Sequence, residues 1–374
     1  MYKIKQIPED FLVKEINNLR LEGNGQYSYF VLKKKSYNTL RAIEKIANEL
    51  RIDRKSIGFS GNKDKNAVTE QIISIKGLSK NVKNLNLKDI DLRFIGKSSK
   101  EVFLSSHVGN EFEITIRNLT ADEIGRIGRK IEKGAILMPN YFGQQRFSKN
   151  NAEIGRSIVK KDFKTAIALI LKQNSDYNGQ ITEHIKKSPN DFVVALKIIP
   201  QKLLRLYVHA YQSYLFNKAL EQYLDFNKTI PKKFTGSQIK NKHSGKNFPD
   251  SKSRNSKNNG YNKNKGSGNP EISGSIIKKI PVIGFGTEIA SKETAKIIDK
   301  IMKEENIWFR DFIIRQIPEL SSEGDERDAF IKITDFKIAK KGKDELNKNK
   351  EKIVVKFSLP KGCYATVLVD QLLG

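Results

Sequence analysis

Apolar and polar residues recur along the chain with two different periods, and each period marks a different part of it. Alternation of apolar with polar residues predicts a half-buried strand at 111–117. Further strands are expected at 12–13, 26–33, 56–59, 67–75, 352–357 and 364–369. Apolar residues three or four positions apart predict one helix capped by Asn38 or Thr39. Further helices are expected at 120–133, 152–172 and 292–305, and a long one, dense in Tyr and Leu, at 203–224. Strands therefore occupy both terminal parts of the chain and helices its middle, which predicts an α+β fold.

One segment of the helical middle has neither period. Residues 237–268 consist almost entirely of Ser, Asn, Gly and Lys, and the stretch 228–270 carries 11 Lys and Arg against one acidic residue. Such a stretch cannot bury enough apolar surface to offset the entropy of ordering it. We therefore expect a disordered basic loop at 237–268, acting either as a solvated linker or as an arm that attracts RNA.

The charge of the whole chain points to a polyanionic partner. Its 69 Lys and Arg outnumber 42 Asp and Glu, for a formal net charge of +27. Part of this excess can come from a genome with few G·C pairs, because Lys, Asn and Ile are all abundant in the sequence. A large excess of positive charge nevertheless favours nucleic acid as the partner.

Cysteine and histidine are too few and too dispersed for a disulfide framework or a metal centre. The chain has one cysteine, Cys363, and its four histidines lie far apart without HExxH spacing, so no metal site is expected. No apolar signal stretch follows Met1, and the longest apolar run, 166–171, is too short to span a bilayer. We expect a soluble, cytoplasmic protein with no membrane partner, and we interpret Cys363 and Trp308 as core residues.

The stretch 58–71 carries the first candidate for chemistry. Asp64 lies between Lys63 and Lys65 in a glycine-containing turn between two predicted strands, where a rigid scaffold can present a catalytic group. The two lysines favour the ionised carboxylate. The same composition is also typical of an ordinary surface turn.

The stretch 138–147 is rich in aromatic and amide side chains. It combines two aromatic residues and a glycine with Asn140, two glutamines and Arg146. Aromatic faces stack a flipped base and amides bind its polar edge, so the stretch suits a nucleotide site. A packed loop with buried Tyr and Phe is the alternative interpretation.

Two further stretches lie near the chain ends. Residues 357–366 predict a hairpin whose second strand begins at Tyr364, and a plain hairpin without a site is the alternative. Residues 5–15 contain Phe11, a second candidate stacking face.

Together and in this order, the four stretches resemble the signature blocks of the tRNA pseudouridine synthase D (TruD) family, in its archaeal form. The matching blocks are Lys-x-x-Pro-Glu-Asp-Phe-x-Val-x-Glu at 5–15, Gly-x-Lys-Asp-Lys-x-Ala-Val-Thr-x-Gln at 61–71, Pro-Asn-Tyr-Phe-Gly-x-Gln-Arg-Phe at 139–147 and Leu-Pro-x-Gly-x-aromatic-Ala-Thr at 359–366. The resemblance implies a pseudouridine-synthase-type mixed or antiparallel sheet in a discontinuous catalytic domain, 1–165 plus 331–374. It also implies an inserted, mainly helical α/β domain at 166–330.

The activity implied by the resemblance is an isomerase that converts uridine to pseudouridine in tRNA, at position 13 in the best-known members of the family. No cofactor and no metal would be required, and tRNA would be the partner, with no obligatory protein partner.

The resemblance also assigns roles to individual residues. Asp64 would be the catalytic carboxylate, and Lys5 the positive partner that orients it. The target nucleotide would be enclosed by Phe11, Phe142 and Tyr364 and would receive hydrogen bonds from Asn140. Contacts to RNA phosphates would come from Lys63, Lys65 and Arg146.

Two other classes of function remain open from the residues alone. A non-catalytic basic RNA-binding protein would share the charge and the aromatic residues, and a basic ribosome-assembly factor would share the charge. Neither class needs Asp64 within its complete block, so that block favours the enzyme.

Overall fold

A computed structural model describes residues 1–77, 85, 87–103, 106–132, 136–227, 278–333 and 335–374. The basic loop expected at 237–268 lies outside the described residues. Among the helices of the described part, none combines the length and the apolar composition that crossing a membrane requires.

Both ends of the chain contribute to one mixed sheet of eight strands. These strands are β1 (Phe11–Ile16), β2 (Tyr27–Lys35), β3 (Ile57–Phe59), β4 (Val68–Lys76), β5 (Ile90–Ser98), β6 (Gly109–Leu119), β11 (Lys337–Lys343) and β12 (Glu351–Pro360). Their order is β11-β12-β6-β1-β4-β2-β5, and β3 pairs with β4. The pair β1–β4 is parallel, whereas the other neighbours in the sheet are antiparallel. The predicted α+β fold with a mixed sheet is confirmed.

Two short ribbons lie outside this sheet. Strand β7 (Ile136–Pro139) pairs with β10 (Phe330–Ile333), and β8 (Lys279–Val282) pairs with β9 (Asp325–Asp328). In the β7–β10 ribbon, the segment that leaves the eight-stranded sheet pairs with the segment that returns to it. The helical middle is therefore entered and left at one place.

The helices of the described residues occupy the middle of the chain and flank the sheet. They are α1 (Thr39–Leu50), α2 (Ala121–Glu132), α3 (Asn151–Val159), α4 (Phe163–Leu171), α5 (Asn178–Lys187), α6 (Phe192–Lys197), α7 (Gln201–Asn227), α8 (Lys292–Glu305) and α9 (Ala365–Leu373). Asn38 caps α1 by accepting a hydrogen bond from the backbone N–H of Arg41, as the sequence predicts.

The last element differs from its prediction as a strand. Residues 365–373 form helix α9, which buries Ala365, Leu368, Val369 and Leu372. These positions are three or four apart, so the helical period was present in the sequence. The β-branched residues within the stretch favoured a strand, and packing of the apolar face against the core of the sheet outweighed them.

Three buried clusters make up the core of the described residues. Two lie on the sheet, one of them around Phe112, Ile114 and Ile116, which alternate inward along β6 as predicted. The third is helical and extends from Ile154 to Phe330. Because α3 belongs to this third cluster, the helical part begins near residue 151, before the expected boundary at 166.

Trp308 does not belong to the core. Its side chain is 65% exposed, because it precedes a short 3₁₀ turn at the surface of the helical part. The prediction of a core tryptophan is therefore wrong. Cys363 is partly buried against the cluster around β6.

Candidate active site

Asp64 lies in the turn that joins β3 to β4. Strands β1 and β4 run parallel, with Leu12 paired to Val68 and Lys14 to Glu70. Both strands therefore begin at the same end of the sheet. As a result, the segment before β1 lies beside the turn that precedes β4. This register brings the opening block of the sequence to Asp64.

Lys5 and Asp64 form an ion pair at that junction. The Lys5 ammonium lies 2.6 Å from Oδ2 of Asp64, and the two side chains are 24% and 28% exposed. Oδ1 accepts a longer hydrogen bond of 3.4 Å from Nε2 of Gln145. The carboxylate is thus oriented by donors on both oxygens while it stays open to a ligand.

Buried polar side chains hold the backbone of the Asp64 turn. Oγ1 of Thr39 accepts a hydrogen bond of 2.9 Å from the backbone N–H of Lys63 and donates one of 2.9 Å to Oε1 of Gln71. Nε2 of Gln71 in turn donates to the carbonyl of Gly61 at 3.0 Å. Thr39 and Gln71 are at most 1% exposed, so the turn is fixed from inside the protein.

Lys34 lies beneath the same turn and is 1% exposed. Its ammonium donates hydrogen bonds to the backbone carbonyl oxygens of Tyr37, at 2.6 Å, and of Asp64, at 3.0 Å. Burial lowers the pKa of Lys34 to about 8, with the negative charge of Asp64 opposing that shift and the positive charge of Lys63 adding to it.

Lys63 points into the protein. Its side chain is 8% exposed, and its ammonium lies 3.0 Å from the buried carboxylate of Glu15 and 2.8 Å from Oδ1 of Asn110. In this structure the ion pair with Glu15 keeps the Lys63 ammonium away from the surface, and the predicted phosphate contact of Lys63 stays a prediction. Lys65, by contrast, is exposed, and its predicted phosphate contact stays a prediction.

The block 139–147 packs against the turn that follows β12. The rings of Phe142 and Tyr364 lie 6.3 Å apart in an edge arrangement, and both residues are partly buried. A Cβ atom at Gly143 would lie 2.6 Å from the Tyr364 ring, so this close approach requires glycine. Gln145 extends from the same block to Asp64, which brings together the blocks 61–71, 139–147 and 359–366.

Asn140 is occupied by contacts within the protein. It is 3% exposed; Nδ2 donates to the carbonyl of Asp328 at 2.9 Å, and Oδ1 accepts from a terminal nitrogen of Arg327 at 2.5 Å. In this structure the polar atoms of Asn140 face Arg327 and β9, and the predicted hydrogen bond to uracil stays a prediction.

Arg327 ties three parts of the site together. Nε donates to the carbonyl of Asn140 at 3.0 Å, and a terminal nitrogen donates to the carbonyl of Gly362 at 2.9 Å. The guanidinium lies 4.2 Å from the centre of the Phe142 ring. Burial lowers the pKa of Arg327. The hydrogen bonds of its guanidinium go to uncharged oxygens of Asn140 and Gly362.

Phe11 is a core residue at the edge of the site. It is 3% exposed, and its ring packs edge-on against Phe112 with centroids 6.0 Å apart. The Lys5 ammonium lies 3.9 Å from the centre of the ring. In this structure the ring is buried and lies against Lys5, and the predicted stacking of Phe11 on a base stays a prediction.

Arg146 lies between the block 139–147 and helix α7. Nε donates to Oγ of Ser213 at 3.3 Å, and the guanidinium lies 5.8 Å from the centre of the Phe142 ring. The side chain is partly exposed, so the predicted contact with RNA stays a prediction.

The arrangement can present one ionised carboxylate, backed by cations, to a planar ligand beside Phe142 and Tyr364. Arg327 and Lys34 are parts of it that lie in none of the four blocks. Gln145 lies within the block 139–147, where the sequence gives it no role of its own. Lys34 had a usable signal, because it continues the inward alternation of Phe30 and Leu32 along β2.

The family model described as tRNA pseudouridine synthase D (TruD) matches residues 2–183 and 170–372. These two matches extend over nearly the whole chain and include all four blocks.

Full-length relatives and a solved structure carry the same description. A protein of Methanosarcina acetivorans, named as a probable tRNA pseudouridine synthase D, is 31% identical over 99% of this chain and 92% of its own length. The tRNA pseudouridine synthase D of Aquifex aeolicus is 29% identical over 99% of this chain and 97% of its own. A crystal structure of a Methanosarcina mazei protein assigned to the same family superposes with a TM-score of 0.71 at 25% identity, covering 99% of this chain and 93% of that one.

Proposed function

The chain belongs to the tRNA pseudouridine synthase D family, and from that premise we propose that it isomerises uridine 13 of tRNA with Asp64 as the essential carboxylate. The isomerase activity on tRNA follows from the family. The single observation that carries the role of Asp64 is its ion pair with Lys5 at 2.6 Å, on a rigid turn and open to a ligand.

The reaction rearranges bonds within one nucleoside. The C1′–N1 bond of uridine breaks, the uracil turns, and C1′ bonds to C5; C5 loses a proton and N1 gains one. An ionised carboxylate at the sugar can serve by attacking C1′ or C6, or by removing a ribose proton to give a glycal-like intermediate. All three routes require Asp64 without its proton.

Lys5 orients Asp64. Its ammonium lies 2.6 Å from Oδ2 of Asp64, and this contact restricts the rotation of the carboxylate. Gln145 donates to the other oxygen from the block 139–147. Because Lys5 is itself braced by the Phe11 ring, the position of the carboxylate depends on packing behind the site.

Phe142 and Tyr364 form the aromatic side of the proposed nucleotide site. Both are partly exposed, whereas Phe11 and Asn140 are buried. We therefore assign enclosure of the uracil to Phe142 and Tyr364, and support of those two rings to Asn140 through Arg327. Lys65 and Arg146 are assigned to RNA phosphates, whose contacts position the substrate without reading its sequence.

The catalytic domain of this proposal comprises the sheet with α1, α2 and α9, and the inserted domain comprises the helical cluster. Packing of α3 with α7 supports a boundary near residue 151, and the β7–β10 ribbon supports a return near residue 330.

The test is to map pseudouridines in unmodified tRNA transcripts after incubation with the purified protein. We expect one pseudouridine, at position 13, and none in a matched transcript with cytidine at that position. Pseudouridine at another position would overturn the assignment of uridine 13. Binding of tRNA without any pseudouridine would favour the non-catalytic RNA-binding alternative.

A further inference from the structure

We infer that Lys34 is a positioning residue for catalysis, which holds the backbone of Asp64 in place and supplies positive charge beneath it. The inference rests on the proposed role of Asp64 and assigns a part of the site that no block of the family resemblance includes.

The environment of Lys34 is unusual for a lysine. Its side chain is 1% exposed and faces inward from β2, on the same side as Phe30 and Leu32. In the described part of the chain its ammonium lies in no ion pair; the hydrogen bonds go to the carbonyl oxygens of Tyr37 and Asp64. Burying a cation without a carboxylate partner is unfavourable for folding. An apolar residue would fill the same inward position of the strand without that penalty.

The two carbonyl groups explain what the ammonium does. Tyr37 immediately precedes the N-cap of α1, and Asp64 is the proposed catalytic residue, so one ammonium joins the start of the helix to the catalytic turn. Thr39, in the first turn of that helix, holds the N–H of Lys63. The turn is therefore held on both sides of the peptide group between Lys63 and Asp64. Thr39 accepts from the N–H of Lys63, and Lys34 donates to the carbonyl of Asp64.

Charge is the second contribution of Lys34. The charged groups that act on its ammonium are the Asp64 carboxylate and the Lys63 ammonium, both from the turn. Lys5 binds the exposed side of the carboxylate, and Lys34 adds positive potential from the buried side. Because burial lowers the pKa of Lys34 to about 8, this potential is lost at mildly alkaline pH.

Loss of the Lys34 charge affects stability and activity in opposite directions. The folded-state pKa lies below that of an unfolded lysine, so between about pH 8 and pH 10.5 the unfolded chain binds more protons than the folded chain. The contribution of Lys34 to the free energy of unfolding therefore rises with pH in that window. Turnover is expected to fall in the same window, because the carbonyl of Asp64 loses its cationic donor.

The test compares Lys34→Met with Lys33→Met, its exposed neighbour on β2, in single-turnover pseudouridine formation between pH 6.5 and pH 9.5. We expect Lys34→Met to lower the rate by about 100-fold, the effect of misplacing a reacting group by roughly 1 Å, with no change in tRNA affinity. The remaining activity should lack the alkaline decline of the wild type. Lys33→Met should retain the wild-type rate and profile.

Each outcome separates this inference from the proposed function. Wild-type protein that forms no pseudouridine would contradict the proposed function itself. An active wild type with a Lys34→Met variant of equal rate, or of equal alkaline decline, would overturn the role of Lys34. If Lys34→Met does not fold, the wild type decides: a decline in rate centred near pH 8 without a fall in melting temperature supports the inference, and a flat profile to pH 9.5 overturns it.

Discussion

Phe142 and Phe11 are the same type of residue but differ in exposure, and we expect them to have different roles at the site. Phe142 is partly exposed beside Tyr364, whereas Phe11 is 3% exposed and lies under Lys5. An exposed ring can contact a base, and a buried one can only support its neighbours. The two residues should therefore respond differently to truncation.

Phe142→Ala is expected to weaken capture of the target uridine. Stacking contributes roughly 1–3 kcal/mol per base, so the tRNA concentration for half-maximal single-turnover rate should rise about 5- to 150-fold. Phe11→Ala should instead lower the melting temperature, because emptying a core phenylalanine site costs about 3–5 kcal/mol. A Phe142→Ala variant with a melting temperature as low as that of Phe11→Ala and a normal half-maximal concentration would make Phe142 a core residue.

The types and order of residues in the sequence are enough to select Asp64 as the candidate carboxylate. They do not show whether each neighbouring side chain points into the protein or towards solvent. Lys63 and Lys65 are equivalent in the sequence; only the fold shows that Glu15 pairs with the first. Asn140 suits a base edge by type, yet Arg327, which comes far later in the chain, occupies it. Partners distant in sequence cannot be inferred from a local pattern.

Helix α3 shows how closely the helical part is packed. A Cβ atom at Gly155 would lie 1.9 Å from the backbone carbonyl oxygen of Tyr207 in α7. Gly128 in α2 has no atom within 4 Å of the corresponding position. These two helical glycines therefore form a matched pair.

Gly155→Ala should destabilise the protein and Gly128→Ala should stabilise it. The first substitution forces α3 away from α7, a backbone contact that cannot yield without loss of packing, and we expect a cost of about 1–3 kcal/mol. The second removes chain entropy and should add about 0.5–1 kcal/mol. Denaturant unfolding measures both changes. Equal effects of the two substitutions would show that α3 and α7 do not approach as described.

The cluster around Arg117 on β6 should dominate the response to acid. Its buried guanidinium lies 2.8 Å from Asp10 and 2.9 Å from Asp344. Burial raises the pKa of Asp344, but hydrogen bonds from the backbone of Asn118 and Leu346, from Asn347 and from Arg117 outweigh it and lower the pKa from 3.8 to about 2.

That lowered pKa predicts a specific pH window for the loss of stability. Asp344 contributes about 2 kcal/mol that is present above pH 4 and lost as the pH falls towards 2. Asp344→Asn should reduce the free energy of unfolding at pH 7 and flatten its decline between pH 4 and pH 2. Urea unfolding across that range checks both effects. A variant as acid-sensitive as the wild type would place the titrating group elsewhere.

Elements were predictable wherever one period extended over many residues. The alternation along β6 agrees with the structure closely, and α7 was predictable from its length and its density of Tyr and Leu. The stretch 365–373 is short and rich in β-branched residues, and there the local pattern fits both a strand and a helix. Its contacts with the core of the sheet, which the sequence does not display, decide in favour of the helix.

The whole molecule joins a sheet built from both chain ends to a helical insertion entered and left through one ribbon. The distribution of strands and helices along the sequence predicts such a division, and the domain boundaries stay a prediction. Helix α3 is separated from α7 by more than 40 residues, so their packing has no local signature in the sequence.

Deleting 237–268 is expected to leave a folded and active enzyme. The segment contains eight Lys and Arg and one acidic residue, with few apolar side chains, and loop length alone has a small effect on stability. Loss of its charge should weaken tRNA binding modestly at low salt and hardly at all near about 0.3 M, where exposed charges are screened. Titrations of tRNA at several salt concentrations test this. A loss of affinity that persists at high salt, or a misfolded deletion protein, would indicate specific contacts.

The measurement that tests the central claim most directly is the single-turnover rate of Asp64→Asn on tRNA, with binding measured in the same solution. Asparagine keeps the size of the side chain and removes the charge, so we expect the rate to fall at least about 1,000-fold, several kcal/mol of barrier. Affinity for tRNA should stay within a few-fold, because a carboxylate does not attract phosphate. A variant that retains a tenth of the wild-type rate would contradict the assignment of Asp64 as the catalytic residue.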